Sequence, residues 1–172
     1  GAMIERLDKS VGILMSKLDE LDLANDTVFI FYSDNGGLES DADQTPLRSG
    51  KANLYEGGIR VPLIVRWPGH VQPGTLNDSL VSTIDIFPTF LDMAGIDRKY
   101  NDIDGISIVP ALTGKSGLRR DAIYWHYPHF HKDGTGPSGA IRMGKYKLIE
   151  WYEPTLLGQE KRVELFDLEK DL

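Results

Sequence analysis

The sequence holds no cysteine. That absence removes disulfides, thiolate metal sites and a cysteine nucleophile from anything these residues do by themselves. Basic residues are in deficit as well: 19 Lys and Arg stand against 26 Asp and Glu, a formal charge of -7. Counterion release on nucleic acid needs clustered Lys and Arg, so no nucleic-acid partner is expected, and an anionic ligand needs a local exception to the acidic background. Uninterrupted apolar runs are far shorter than a bilayer requires, and no basic-then-apolar leader opens the chain, so no membrane partner is expected either. Internal repeats and low-complexity tracts are missing too. What remains, 172 residues with 41% hydrophobic content, suffices for one domain with a core, or for one domain plus a small appendage.

Ile4, Leu7, Val11, Leu14, Leu18 and Leu21 recur at spacings of three and four, which predicts one apolar stripe along a helix, closed by Asn25 in a left-handed cap. "TVFIFYS", Thr27 to Ser33, is apolar on both faces and reads as a central strand covered by helices. Helix followed by buried strand points to a parallel α/β layer architecture. A second strand, Val61 to Trp67, is bracketed by Pro62 and Pro68, which favours a more peripheral place. The long polar stretch between them, Asp34 to Arg60, is of a length that is usually functional or disordered. Ile84, Phe87, Leu91 and Ala94 form another helical face, with Asp85 as N-cap, Pro88 in the first turn and Gly95 as the stop. From about Gly117 the pattern turns to β: "DAIYWHY", then "AIRM" and "YKLIEWY" joined through Gly144-Lys145 in the residue order of a tight hairpin, then "VELFDL". The expected organisation is an α/β part over 1–117, followed by a small antiparallel β subdomain over 118–172 that is truncated at its end.

Ligands of open α/β sheets gather at the carboxyl ends of strands, and Asp34-Asn35 sits at that end of the most apolar strand. A carboxylate and an amide carbonyl followed by two glycines are hard oxygen donors suited to Ca²⁺ or Mg²⁺. Asp-Asn-Gly-Gly is also ordinary turn chemistry, and position alone does not separate the two. Glu39, Asp41 and Asp43 lack the glycine and terminal glutamate of an EF-hand and read as a solvated loop face. Arg48, Lys51 and Arg60 place three cations on a glycine-flanked loop, the local exception that an anion site needs. Lys51 stands out because an ammonium offers several donors to an oxyanion while Gly50 leaves room for it. Surface pairing of these cations with Glu56 or Asp43 is the alternative.

"FIFYSDNGG", "GKANLYEGGIRVPLIVRWPG", "VSTIDIFPTFLDMAGI" and "DGISIVPALTG", in this order and spacing, resemble the sulfatase family, arylsulfatase-type enzymes of the alkaline phosphatase superfamily. The resemblance covers nearly the whole chain. It implies an alkaline-phosphatase-like sandwich of parallel or mixed sheet with helices, a calcium site to which Asp34 and Asn35 correspond, and a catalytic, sulfate-contacting lysine to which Lys51 corresponds. Glu56, Gly57, Gly58 and Arg60 match the family's loop closure, a structural role. The attacking group in the family is a formylglycine hydrate made from Cys or Ser in a C-x-P/A-x-R type motif; the cysteine form of that motif is not in this sequence, nor is the paired-Asp metal motif of the first strand. The resemblance therefore implies the C-terminal portion of a sulfatase, half a metal site and one sulfate contact, inactive by itself, acting in its parent on sulfated small molecules or glycans. Uncovered sheet edges would favour self-association. A periplasmic or secreted location is what the family suggests.

"WHYPHFHKDGTGPSG" carries His126, His129 and His131, three of the four histidines. Zinc lacks carboxylate or thiolate companions at suitable spacing there, and strand-end packing is the plain alternative. In similar sulfatases a loop of the C-terminal subdomain leans over the active-site mouth, so the resemblance makes His126 and His129 substrate-contacting candidates. His70 reads as solvated, Arg142 and Lys147 as strand-face charges, and Trp67, Trp125 and Trp151 as core or interface residues rather than a sugar platform. Asn25-Asp26-Thr27 and Asn77-Asp78-Ser79 satisfy the glycosylation sequon. Two other functions fit the same residues: a phosphoryl or phosphonate hydrolase of the same superfamily, and a noncatalytic anion-binding module.

Overall fold

The apolar stripe at three and four spacing forms α1, Ala2–Glu20, with Lys9–Glu5 and Lys17–Glu20 ion pairs of 2.7 Å on its surface. The computed structural model describes residues 1–96, 102–115 and 117–171. No residue of α1 is buried: Ile4, Leu7 and Leu14 stay exposed. The helix stops earlier than Asn25 would place it. Asp22 takes the left-handed conformation (φ 54), the Leu23 N–H reaches Leu18 O at 2.9 Å, and the Asp22 N–H reaches Asp19 O at 3.1 Å. Those two bonds are the Schellman pattern, and an aspartate tolerates its left-handed position nearly as well as asparagine.

β1, Phe29–Tyr32, is half-buried and pairs with β2, Leu63–Arg66, from Phe29↔Arg66 to Tyr32↔Leu63. The pairing is antiparallel. A parallel neighbour requires a crossover of helix length, and the chain between the two strands holds just one turn of helix, α2, Glu56–Ile59, before it doubles back. Arg66 Nη1 donates to Ala24 O at 2.9 Å and ties β2 to the segment after α1.

A 3₁₀ turn, Thr83–Asp85, leads into α3, Ile86–Met93, which Gly95 ends at φ 68 as its sequence position predicts. Asp85 is the N-cap residue of α3 as expected, but its side chain makes no capping bond to that helix. It serves the 3₁₀ turn instead, whose N-cap Ser82 donates its N–H to Asp85 Oδ2 at 2.8 Å, while the same carboxylate accepts from Ile106 N–H at 3.0 Å and from both terminal nitrogens of Arg120. Asp85 has no exposed surface, so the ion pair with Arg120 compensates its lost hydration. Thr89 continues the network: Oγ1 donates to Asp85 O at 2.6 Å and accepts from Ile108 N–H at 3.0 Å, which seats α4, Val109–Leu112.

The C-terminal part is a four-stranded antiparallel meander in the order β3 (Ala122–Tyr127), β4 (Ser138–Met143), β5 (Tyr146–Trp151), β6 (Arg162–Asp167), with α5 (Tyr152–Leu156) between the last two. Gly144, at φ 55, opens the two-residue turn that pairs Met143 with Tyr146. The mixed α/β class and this antiparallel sheet are as the residue pattern predicts. Alternation along β5 buries Lys147, Ile149 and Trp151 on one face. Against that face pack Leu54 and Tyr55 from the loop before α2, forming the core cluster with Ala140, Ile149 and Trp151. The core thus joins the loop that follows β1 to the C-terminal sheet. Trp151 belongs to it, Trp125 packs on it, and Trp67 stacks on the exposed His70 at 4.1 Å. Among the described residues no helix is long and apolar enough to cross a membrane.

Candidate anion and metal site at the end of the first strand

Where β1 ends, Ser33 N–H still bonds to Pro62 O at 3.3 Å, and then the chain turns. Ser33 Oγ donates to Asn35 O at 2.9 Å, and Asn35 N–H donates to Asp34 Oδ1 at 3.0 Å. The next two residues bind backbone to backbone with the distant loop: Gly36 N–H to Gly58 O at 2.9 Å, and Lys51 N–H to Gly37 O at 2.8 Å. Gly57 N–H closes the loop on Arg48 O at 2.9 Å. Only glycine permits this approach at two of these positions. A Cβ on Gly36 would overlap the Gly57 carbonyl, and one on Gly50 would overlap the Gly37 carbonyl. The framework sets the backbone of Lys51 directly against the Asp34–Gly37 turn. It also holds Ser49 at φ 62 and Ala52 at φ 70, so the two residues flanking Gly50-Lys51 are kept in a conformation that costs each of them about 1–2 kcal/mol.

The three cations of this loop have different fates. Arg48 lies 4.0 Å over the Tyr55 ring and 3.9 Å from Glu164. Arg60 sits 3.8 Å from Glu56 Oε2. The exposed ammonium of Lys51 makes no hydrogen bond or ion pair among the described residues. Neither Glu56 nor Asp43 takes it up: Asp43 accepts from Thr45 N–H at 2.9 Å and Glu56 binds elsewhere. Asp34 is likewise exposed and without a cationic partner among the described residues, and Asn35 is half-buried beside it. As hard oxygen donors on a rigid turn, these two fit one side of a Ca²⁺ or Mg²⁺ shell, which needs about six to eight oxygens in the case of calcium. Among the described residues no group of three or more His, Asp or Glu completes such a shell. A groove of about 930 Å³ lies elsewhere, between β2, the 71–81 segment and β3, and Asp34, Asn35 and Lys51 do not line it.

His126 and His129 are exposed, and their contacts are with tyrosines: His126 Nδ1 lies 2.9 Å from Tyr152 Oη, and His129 meets the Tyr127 ring edge-on at 5.4 Å. The loop that carries them does reach the Lys51 segment, through residues 131–134. Asn53 Nδ2 lies 3.3 Å from Lys51 O and 3.3 Å from Asp133 O.

Sequence reasoning missed the charge beneath this loop. Lys147, expected as a strand-face charge, is 1% exposed and its Nζ lies 2.9 Å from Oε1 of Glu56, itself 4% exposed. Arg142 approaches the other carboxylate oxygen at 3.8 Å. Burial pulls the Lys147 ammonium below the ordinary lysine value, an effect that the charge and hydrogen bond of Glu56 oppose. Strand parity was the available signal, since Lys147 alternates in step with Ile149 and Trp151. A second polar link runs from Tyr55 Oη to Glu164 Oε2 at 2.7 Å. The Tyr55 phenol is pushed up to about 12, first by burial and then by that bond. For Glu164 burial acts upward, but the hydrogen bonds from Tyr55 and Arg162 outweigh it and hold the carboxyl below its usual range.

Comparison with known proteins gives the family. Residues 1–96 match the sulfatase family model, and residues 49–172 match that of N-sulphoglucosamine sulphohydrolase, C-terminal. A sulfatase of Formosa agariphila is 35% identical over 99% of this chain and 33% of its own length. Human arylsulfatase A is 35% identical over 86% of this chain and 29% of its own. The solved BT33336S-sulf structure, from work on glycosaminoglycan metabolism by Bacteroides thetaiotaomicron, superposes with a TM-score of 0.74 at 32% identity, over 96% of this chain and 37% of that one. The chain thus spans about a third of the length of the curated relatives it matches. Two family models that together take in every residue, and a relative similar along almost the whole length, show that this chain belongs to the sulfatase family.

Proposed function

We propose that this chain forms one wall of the active site of an enzyme that hydrolyses sulfate esters, with Lys51 as the sulfate-contacting cation and Asp34 and Asn35 as ligands of a divalent metal, Ca²⁺ or, in its place, Mg²⁺. One observation carries the reading: in an acidic chain, a lysine whose ammonium has no anionic partner among the described residues has its backbone set by a glycine framework against a turn that offers two hard oxygens. A bound metal would supply fixed positive charge to the ester oxygens. The work of this chain's residues is electrostatic and positional. Lys51 donates to sulfate oxygens whose charge grows as the ester bond breaks, and because its backbone is held by Gly37, little reorganisation is needed at that moment. Asp34 and Asn35 would hold the metal from the strand end. The cysteine precursor of the family's formylglycine is absent from these residues, and the serine-form match, Ser138 to Arg142, lies in β4 with Ser138 buried, so the chain is inactive alone in this reading and acts when joined to a segment that carries the nucleophile.

The substrates we propose are sulfated glycans or small sulfated molecules; the similarity to human arylsulfatase A and to the glycosaminoglycan-related Bacteroides protein supports both. A periplasmic or secreted setting rests on the family resemblance alone. Self-association is part of the proposal, supported by exposed Val163 and Leu165 on the edge strand β6 and exposed Ile64 on β2. The deciding experiment joins the chain to a nucleophile-bearing N-terminal sulfatase segment and assays an aryl sulfate beside the matching aryl phosphate and phosphonate. Hydrolysis of the sulfate that Lys51→Ala abolishes is the expected result. Preference for the phosphorus esters, or unchanged turnover after Lys51→Ala, would refute it.

A further inference from the structure

The loop between β3 and β4 is fastened to the Lys51 segment by a side chain committed to that task. Asn53 is 5% exposed and uses its Nδ2 on two carbonyls, Lys51 O and Asp133 O, at 3.3 Å each. Turning the amide over would set its oxygen against both, so this orientation is the one the two acceptors select. Beside it Gly134 lies on Ala52: a Cβ there would be 2.7 Å from Ala52 O, 3.4 Å from His131 Cβ and 3.5 Å from Ala52 Cβ. His131 and the residue next to Lys51 therefore border the same point. His131 is exposed, and its Nδ1 accepts from Asp133 N–H at 3.2 Å, with the Asp133 carboxylate 3.7 Å away. With Nδ1 occupied as an acceptor, the neutral ring carries its proton on Nε2, which leaves that N–H free to donate. His126 and His129, on the same stretch, spend their contacts on Tyr152 and Tyr127.

We propose that His131 is a specificity residue of the site, its Nε2–H donating to a hydroxyl or carboxylate oxygen of the sugar that bears the sulfate, and that Asn53 is the positioning residue that holds its loop beside Lys51. This rests on the reading of Lys51 given above. A hydrogen bond to the sugar acts on substrates that have such an oxygen and leaves a plain aryl sulfate untouched.

The test uses the chain joined to its nucleophile-bearing segment and measures kcat and KM for an aryl sulfate and for a panel of monosulfated monosaccharides and glycosaminoglycan disaccharides. His131→Ala is expected to raise KM for the best sulfated sugar about tenfold, with the aryl sulfate unchanged within about twofold. His131→Gln, which keeps a donor, recovers part of the loss. Asn53→Ala shifts the sugar KM in the same direction, and the double variant is no worse than the worse single one, which a purely structural role for Asn53 does not produce. The proposal is overturned if His131→Ala leaves the sugar KM within about twofold, if it weakens both substrate types alike, or if an enzyme active on the aryl sulfate accepts no sugar. A Lys51→Ala enzyme that turns over both substrates normally overturns the underlying reading instead, and the two failures are thereby distinguished.

Discussion

Lys147 Nζ and Glu56 Oε1 lie 2.9 Å apart with almost no exposed surface on either side chain. The pair joins the middle of the C-terminal sheet to α2, and α2 continues the glycine framework that backs Lys51. Removing the cation alone leaves a buried carboxylate without a hydrogen-bond donor, since Glu56 Oε2 has none and Arg60 and Arg142 stand 3.8 Å from it. Lys147→Met should therefore destabilise the chain by about 3–5 kcal/mol, whereas Lys147→Met combined with Glu56→Leu should recover most of that loss. Urea unfolding of the three variants beside the parent gives both numbers, and equal losses in the single and double variants would contradict the assignment.

Lys51→Ala should separate stability from function. The side chain is exposed and makes no polar contact among the described residues, so the unfolding free energy should shift by less than about 0.5 kcal/mol. In the joined enzyme the same change should lower kcat for an aryl sulfate by about 10²–10³-fold. Circular dichroism melts and steady-state assays on one preparation compare the two effects.

Gly36→Ala tests the framework without touching a charge. The added methyl meets the Gly57 carbonyl, so the turn and the Lys51 loop must separate, at a cost of about 1–3 kcal/mol. Ala substitution at Gly114, where a Cβ meets no atom within 4 Å, is a control for the φ 67 strain without a clash. Thermal unfolding should rank Gly36→Ala below Gly114→Ala, and activity in the joined enzyme should fall in the first alone.

The link between Tyr55 and Glu164 predicts a pH signature. Tyr55 titrates at about 12 in the fold against 10.0 unfolded, so its stabilising contribution is complete below pH 10 and is lost as the pH climbs towards 12. Glu164 titrates below its unfolded value of 4.5, so its contribution is complete above that value and is lost as pH falls through the folded one. Tyr55→Phe should cost about 1.5–3 kcal/mol near neutrality, with the gap to the parent closing at both extremes. A gap that does not change with pH would count against the hydrogen bond.

Calcium should bind this chain weakly. Asp34 and Asn35 supply two side-chain oxygens to an ion that takes about six to eight, so calorimetry should give a dissociation constant no tighter than about millimolar, abolished by Asp34→Ala. Submicromolar binding would show that the site is complete within these residues.

Much of the fold was readable in one dimension because its signals are local. The stripe of α1, the Gly144-Lys145 turn and the Gly95 stop each depend on neighbours within a few residues, and each occurs where the pattern places it. The end of α1 was misplaced by three residues because Asp22 and Asn25 are both fit for a left-handed cap and only hydrogen bonds to Leu18 and Asp19 choose between them. The direction of the β1 and β2 pairing was not legible for a different reason: apolar composition reports burial and carries no information on the orientation of a partner, so helix-then-strand order suggested a parallel layer where these two strands pair antiparallel.

By itself the sequence determined the family, through four motifs in order, and the chemistry on offer, through an acid, an amide and a lysine set among glycines. Only the tertiary structure decided which cations are committed and which is not. Arg48 went to Tyr55, Arg60 and Lys147 to Glu56, Arg120 to Asp85, and Lys51 to none of the described residues. The reason is physical: a charge takes its character from the dielectric and the partners around it, and those partners lie up to 91 positions away along the chain.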